Sequence, residues 1–83
     1  MIRNVQAATN YGISFEVEDN GGTIACYVTR AALQERAARD NLQTADLRTI
    51  FNSYRLEIDL AASKKWRMEA AEDPIIIDHL PNR

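Results

Sequence analysis

Eighty-three residues with a net charge of −2 make room for one modest core, in a fold that hides roughly 60% of the unfolded chain's surface. Charged residues at 27% and hydrophobic residues at 46% are ordinary globular values and argue against disorder. The near-neutral balance argues against a general nucleic-acid coat, and the single cysteine, Cys26, excludes an intramolecular disulfide and a Cys-rich zinc site.

The opening residues, MIRNVQAATN, lack the apolar run of a signal peptide, and no stretch approaches the roughly 18 apolar residues of a membrane span. The expectation is a soluble protein of a reducing cytoplasm, one domain over residues 1–83 with a poorly defined segment at 1–12. Within that segment Ile2 and Val5 suggest a short edge strand, and Thr9-Asn10-Tyr11-Gly12 reads as a turn.

From Ile13 the pattern sharpens. Ile13, Phe15 and Val17 alternate with Ser14, Glu16 and Glu18; Ile24, Cys26 and Val28 alternate with Thr23, Ala25 and Tyr27. Between the runs lies Asp19-Asn20-Gly21-Gly22. An Asn-Gly pair accepts the positive φ angles of a type I′ turn, the turn of a two-residue hairpin. Paired residue numbers must then have a constant sum, which sets Val17 against Ile24, Phe15 against Cys26 and Ile13 against Val28. All three pairs are apolar and share one face; a slip of one residue would destroy the match.

Thr29 is placed to cap a short helix over residues 30–39, with Leu33 and Ala37 as its buried pair. Asp40-Asn41 would end it, and Leu42 would tuck back into the core. Thr44 then reads as the cap of one long amphipathic helix reaching about Glu72. Leu47, Ile50, Phe51, Tyr54, Ile58, Ala61 and Ala62 recur at helical spacing within a stripe about 120° wide. A helix of that length would run about 42 Å, whereas a globule of this size is roughly 30 Å across. Lys65 also falls inside the apolar stripe. The helix must therefore either break near Ser63-Lys64 or project beyond the body. Pro74 opens a last strand, Ile75-Ile76-Ile77, since proline is tolerated at the first position of a strand. The resulting fold class is α+β: a two-layer sandwich of order β-β-α-α-β with a small antiparallel or mixed sheet.

No metal, cofactor or catalytic set emerges from this pattern. Cys26 lies on the core side of its strand with no base beside it, the setting of an inert buried thiol. His79, the only histidine, lacks ligand partners at recognisable spacing. Glu16 and Glu18 share the solvent side of the hairpin, and Gly21-Gly22 does not lead into a helix as a phosphate loop would. Nothing combines nucleophile, base and orienting group, so a non-enzymatic protein is expected.

Two surfaces remain as candidates. Leu56 and Leu60, one turn apart, stand on the back of the long helix, away from the sheet. With the Lys65–Trp66 edge they suggest a contact with a second copy, as a homodimer, or with another protein; packing on the short helix is the alternative. The second surface is basic: residues 30–67 carry eight basic and five acidic side chains. Arg48, Arg55, Lys64, Lys65, Trp66 and Arg67 offer the mixture of charge and aromatic rings that suits single-stranded nucleic acid. The same cations also complement the negative end of a helix dipole without any ligand.

A family resemblance rests on Ile13-Ser14-Phe15 and on Ile24-Ala25-Cys26-Tyr27-Val28-Thr29 leading to Ala32-Leu33. It continues through Phe51, Arg55, Ile58, Ala61 and Lys65 and ends on Ile75-Ile76-Ile77-Asp78-His79-Leu80. Over most of residues 13–80 the chain resembles the small bacterial group known as domain-of-unknown-function family 1488. Trp66-Arg67-Met68 and the first ten residues stand outside the match. The resemblance implies a compact α+β domain and carries no activity or catalytic residue with it.

Overall fold

The computed structural model describes residues 1–19, 21–68 and 74–80. Its elements are β1 (Ile2–Arg3), β2 (Gly12–Asp19), β3 (Gly22–Thr29), α1 (Arg30–Ala37), α2 (Thr44–Ser53), α3 (Arg55–Met68) and β4 (Ile75–Ile77). The strands form one mixed sheet in the order β1-β2-β3-β4. β1 and β3 flank β2 antiparallel, and β4 joins β3 in parallel. The fold is α+β, with one strand and one helix more than the sequence pattern resolves.

The hairpin has the expected register: Asp19 pairs with Gly22, Val17 with Ile24, Phe15 with Cys26 and Ile13 with Val28. The geometry proposed for Asn20 lies outside the described residues. The two-residue strand β1 pairs Ile2 with Val17 and Arg3 with Glu16, while Val5 lies beyond it, partly buried against the core. The expected turn before β2 closes through the Thr9 N–H donating to the Gly12 carbonyl at 2.9 Å.

Gly12 has a φ of +149°, and a Cβ there would collide with the Val28 carbonyl oxygen. Only glycine fits both the conformation and the space.

Sheet periodicity sorts the strands into two faces. Ile13, Phe15, Val17, Cys26, Val28, Ile75 and Ile77 are buried beneath the helices, together with Leu33, Leu47, Ile50, Phe51, Ile58 and Ala62. Phe15 and Phe51 join the two layers, with ring centroids 5.3 Å apart in a T-shaped contact. On the opposite face Ser14, Glu18, Thr23, Ala25 and Ile76 are exposed.

Thr29 caps α1 as expected: its hydroxyl accepts from the Ala32 N–H at 3.1 Å. The helix ends earlier than Asp40-Asn41, because Ala38 turns into the left-handed region (φ 54°, ψ 43°) and its N–H returns to carbonyls of the last turn. Leu42 then enters the core, held by the Arg30 guanidinium donating to its carbonyl.

The cap of α2 is Gln43, with Thr44 already the first helical residue. The Asp46 carboxylate accepts from the Gln43 N–H at 2.9 Å, as in a capping box. The Thr44 hydroxyl is instead engaged by Asn10, Oγ1 to Oδ1 at 3.1 Å.

The expected single long helix is broken, and not at Ser63-Lys64. The interruption is at Tyr54 (φ −115°, ψ 26°); α3 then runs unbroken through Ser63 and Lys64 to Met68. The end proposed near Glu72 lies outside the described residues. No proline or glycine marks the interruption, but two hydroxyls bond back to the helix just before it. Thr49 and Ser53 donate to carbonyls one turn back, on Ala45 at 3.3 Å and Thr49 at 3.0 Å. Such back-bonding favours a local departure from helix geometry. The molecule measures 36 × 26 × 19 Å.

Candidate interaction surfaces

Helix α3 is fixed from its inner side by Ile58 and Ala62, both fully buried. At about 100° per residue, Leu60 stands about 180° from the midpoint of those two, and Leu56 about 140°. The structure agrees: Leu56 is 72% and Leu60 61% exposed. Packing on α1, the alternative reading of these leucines, does not occur. Lys64, Arg67 and Met68 continue the exposed side toward the end of the helix, Met68 at 74%.

The remaining predicted site residues do not share this face. Lys65 is half-buried and reaches around to the edge strand, its Nζ donating to the Ile76 carbonyl at 2.5 Å. That contact accounts for a lysine inside the apolar stripe: the stem packs while the ammonium stays polar-bound. Trp66 is partly buried against the core. With Arg67, Asp19 and Gly21 it lines a depression of about 370 Å³ beside the hairpin tip. Arg48 projects from α2, with Nη1 3.5 Å from the Gln6 carbonyl. Arg55 lies over the Phe51 ring at 5.9 Å. The six residues of the basic set thus divide among separate surfaces.

One residue that the sequence pattern did not single out organises the helical layer. Arg36, in the last turn of α1, donates to Glu57 on α3 from Nε to Oε2 at 2.6 Å and from Nη2 to Oε1 at 2.8 Å. Its guanidinium also lies 4.1 Å from the centroid of the Tyr54 ring. The Arg36 hydrogen bond, ahead of a smaller opposing effect of burial, holds the Glu57 carboxyl below the usual carboxylate range. The sequence offered only a cation in the last turn of α1, which complements the helix dipole without any partner.

The uncovered sheet face carries a second depression, of about 420 Å³, over Ser14, Glu16, Ala25, Tyr27 and Ile76. Its rim is tied by Asn4 Nδ2 donating to Glu16 Oε1 at 2.6 Å.

Cys26 is buried in the core. His79 is exposed, with Nδ1 3.5 Å from Glu35 Oε1. Among the described residues, no three His, Cys, Asp or Glu side chains gather into a group that could hold a metal ion. No helix among them is long and apolar enough to cross a membrane.

Comparison with known proteins returns the same architecture. A crystal structure of a protein of unknown function from the DUF1488 family of Shewanella loihica PV-4 superposes with a TM-score of 0.76. The two are 21% identical, and the match covers 94% of this chain and 92% of the other. At that identity the likeness establishes the fold. No curated protein matches the sequence. The family model described as "Protein of unknown function (DUF1488)" matches residues 3–77, and the chain belongs to that family.

Proposed function

We propose that the protein is a non-enzymatic cytoplasmic module that works by association through the outer face of α3. The observation that carries this reading is the pair Leu56 and Leu60, one turn apart, 72% and 61% exposed on a helix whose inner side is fully packed. Exposed apolar side chains grouped on one helix face favour a contact surface.

Light scattering on a size-exclusion peak, over a range of protein concentrations, tests it. The wild type is expected to associate, and the combined change Leu56→Glu and Leu60→Glu to give a folded monomer. Unchanged assembly in that variant would remove the reading.

A second reading, weak binding of single-stranded nucleic acid, is supported by Lys64 and Arg67 standing exposed beside Trp66. Binding of this kind falls steeply with salt. No binding of an oligonucleotide at low salt would dismiss it.

A further inference from the structure

The outer face of α3 has a charge pattern as well as an apolar one. Glu57 and Lys64 are seven residues apart, which at about 100° per residue brings them within about 20° of each other around the helix. They line one edge of the face, and Leu60 lies between them along the axis. Arg36 holds the Glu57 carboxylate on this edge through two bonds, 2.6 and 2.8 Å. Lys64 is exposed and makes no ion pair among the described residues.

Resting on the association reading above, we propose that the partner is a second copy of this chain. The two α3 helices lie antiparallel across a two-fold axis that passes near Leu60. In this arrangement Leu60 packs against Leu60 of the second copy. Glu57 of each copy comes beside Lys64 of the other, twice by symmetry, because an isologous contact repeats every pair. Leu56, on the other edge of the face, is then covered by the methylene stem of Arg67 from the second copy. The antiparallel helix dipoles also oppose one another favourably.

A parallel pairing has none of this. Its two-fold runs along the helices, so the Glu57–Lys64 edge of one copy lies on the opposite side of the contact from that of the other and no Glu57–Lys64 pair forms. The charge order along α3 therefore selects the antiparallel arrangement. Arg36 shares the Glu57 carboxylate rather than competing for all of it, since a carboxylate accepts about four hydrogen bonds.

Cysteine cross-linking separates the two arrangements. Glu57 and Lys64 are about 10 Å apart along the helix, farther than the roughly 7 Å that a disulfide spans between Cα atoms. On a Cys26→Ser background, Glu57→Cys and Lys64→Cys are oxidised singly and as a mixture, at a concentration where light scattering shows a dimer. The expected result is a covalent dimer in the mixture, formed between the two different variants, and none from either variant alone. Self-cross-linking of the single variants, or no cross-link in a dimer, would overturn the antiparallel arrangement and leave association intact. A wild type that stays monomeric at every concentration would overturn both. Charge reversal gives a check that keeps the native cysteine. Lys64→Glu, which leaves the Arg36–Glu57 pair intact, should weaken the dimer about two- to thirtyfold, the size of the two exposed ion pairs that symmetry gives. A Lys64→Glu dimer of unchanged affinity would also count against the pairing.

Discussion

Arg36 and Glu57 join the first helix to the third, with the Arg36 guanidinium lying over the ring of Tyr54, the residue at which α2 gives way to α3. One side chain thus touches both sides of the bend. It holds the start of α3 through an ion pair and the bend itself through an aromatic face, a geometry that suits arginine and not lysine.

The Glu57 carboxyl is held below its ordinary range by Arg36. A lowered pKa in the folded state contributes stability above the unfolded value, and that contribution is lost as the pH falls through the folded one. The wild type should therefore be more stable than Glu57→Gln near neutral pH, and the difference should close on acidification. Urea titrations of both proteins across the acid range would check this. A gap that persists at the acid end would mean that Glu57 acts through packing rather than charge.

Gly12→Ala should be among the most damaging single changes. It places a Cβ against the Val28 carbonyl and forces an L residue to a φ of +149°. Strain of this kind costs about 3 kcal/mol. Thermal unfolding followed by circular dichroism measures the loss, and a shift within error of zero would refute the backbone argument.

The two sides of α3 should respond oppositely to the same chemistry. Ile58→Ala removes a fully buried side chain and should cost about 3 kcal/mol through lost burial and the cavity left behind. Leu56→Ala removes an exposed one and should change the monomer's stability by less than about 0.5 kcal/mol. Chemical denaturation of both variants at low protein concentration gives the comparison.

Lys65→Met keeps the stem that lies in the apolar stripe and removes the hydrogen bond to the Ile76 carbonyl. A loss of about 1 kcal/mol is expected, typical of one hydrogen bond. Lys65→Ala should cost more, because the packed methylenes go as well. Equal effects in the two variants would show that only the ammonium matters.

The parts of this fold that could be read from the chain were those with a strict local period. Alternation from Ile13 to Val17 and from Ile24 to Val28, joined by a two-residue loop, leaves one register in which every apolar residue faces the helices. The outward position of Leu56 and Leu60 follows from the same arithmetic at helical spacing. The break at Tyr54 was not legible, because no proline or glycine marks it. It lies beside the back-bonded hydroxyls of Thr49 and Ser53 and against Arg36, which is close to Tyr54 only after the chain has folded. Gln43 displaced Thr44 as the cap for a similar reason: Thr44 is already engaged by Asn10, far away in sequence. Arg36 itself escaped notice because a cation at a helix end is unremarkable until its partner on another helix is known.

The parallel pairing of β4 with β3 has a kinetic consequence. The hairpin closes over two residues, whereas bringing Ile75 beside Cys26 must close a loop spanning all three helices. The entropic cost grows with the logarithm of loop length, and non-local strand pairing is slow to form. The hairpin and helices can meet early, but the core stays open along one side until Ile75 and Ile77 arrive. The topology therefore favours an order in which β4 docks after the hairpin and opens before it. Native-state hydrogen exchange should show it, with the amides that tie β4 to β3 opening at lower free energy than those between β2 and β3. The short strand that completes the core is then also held less firmly than the hairpin it joins.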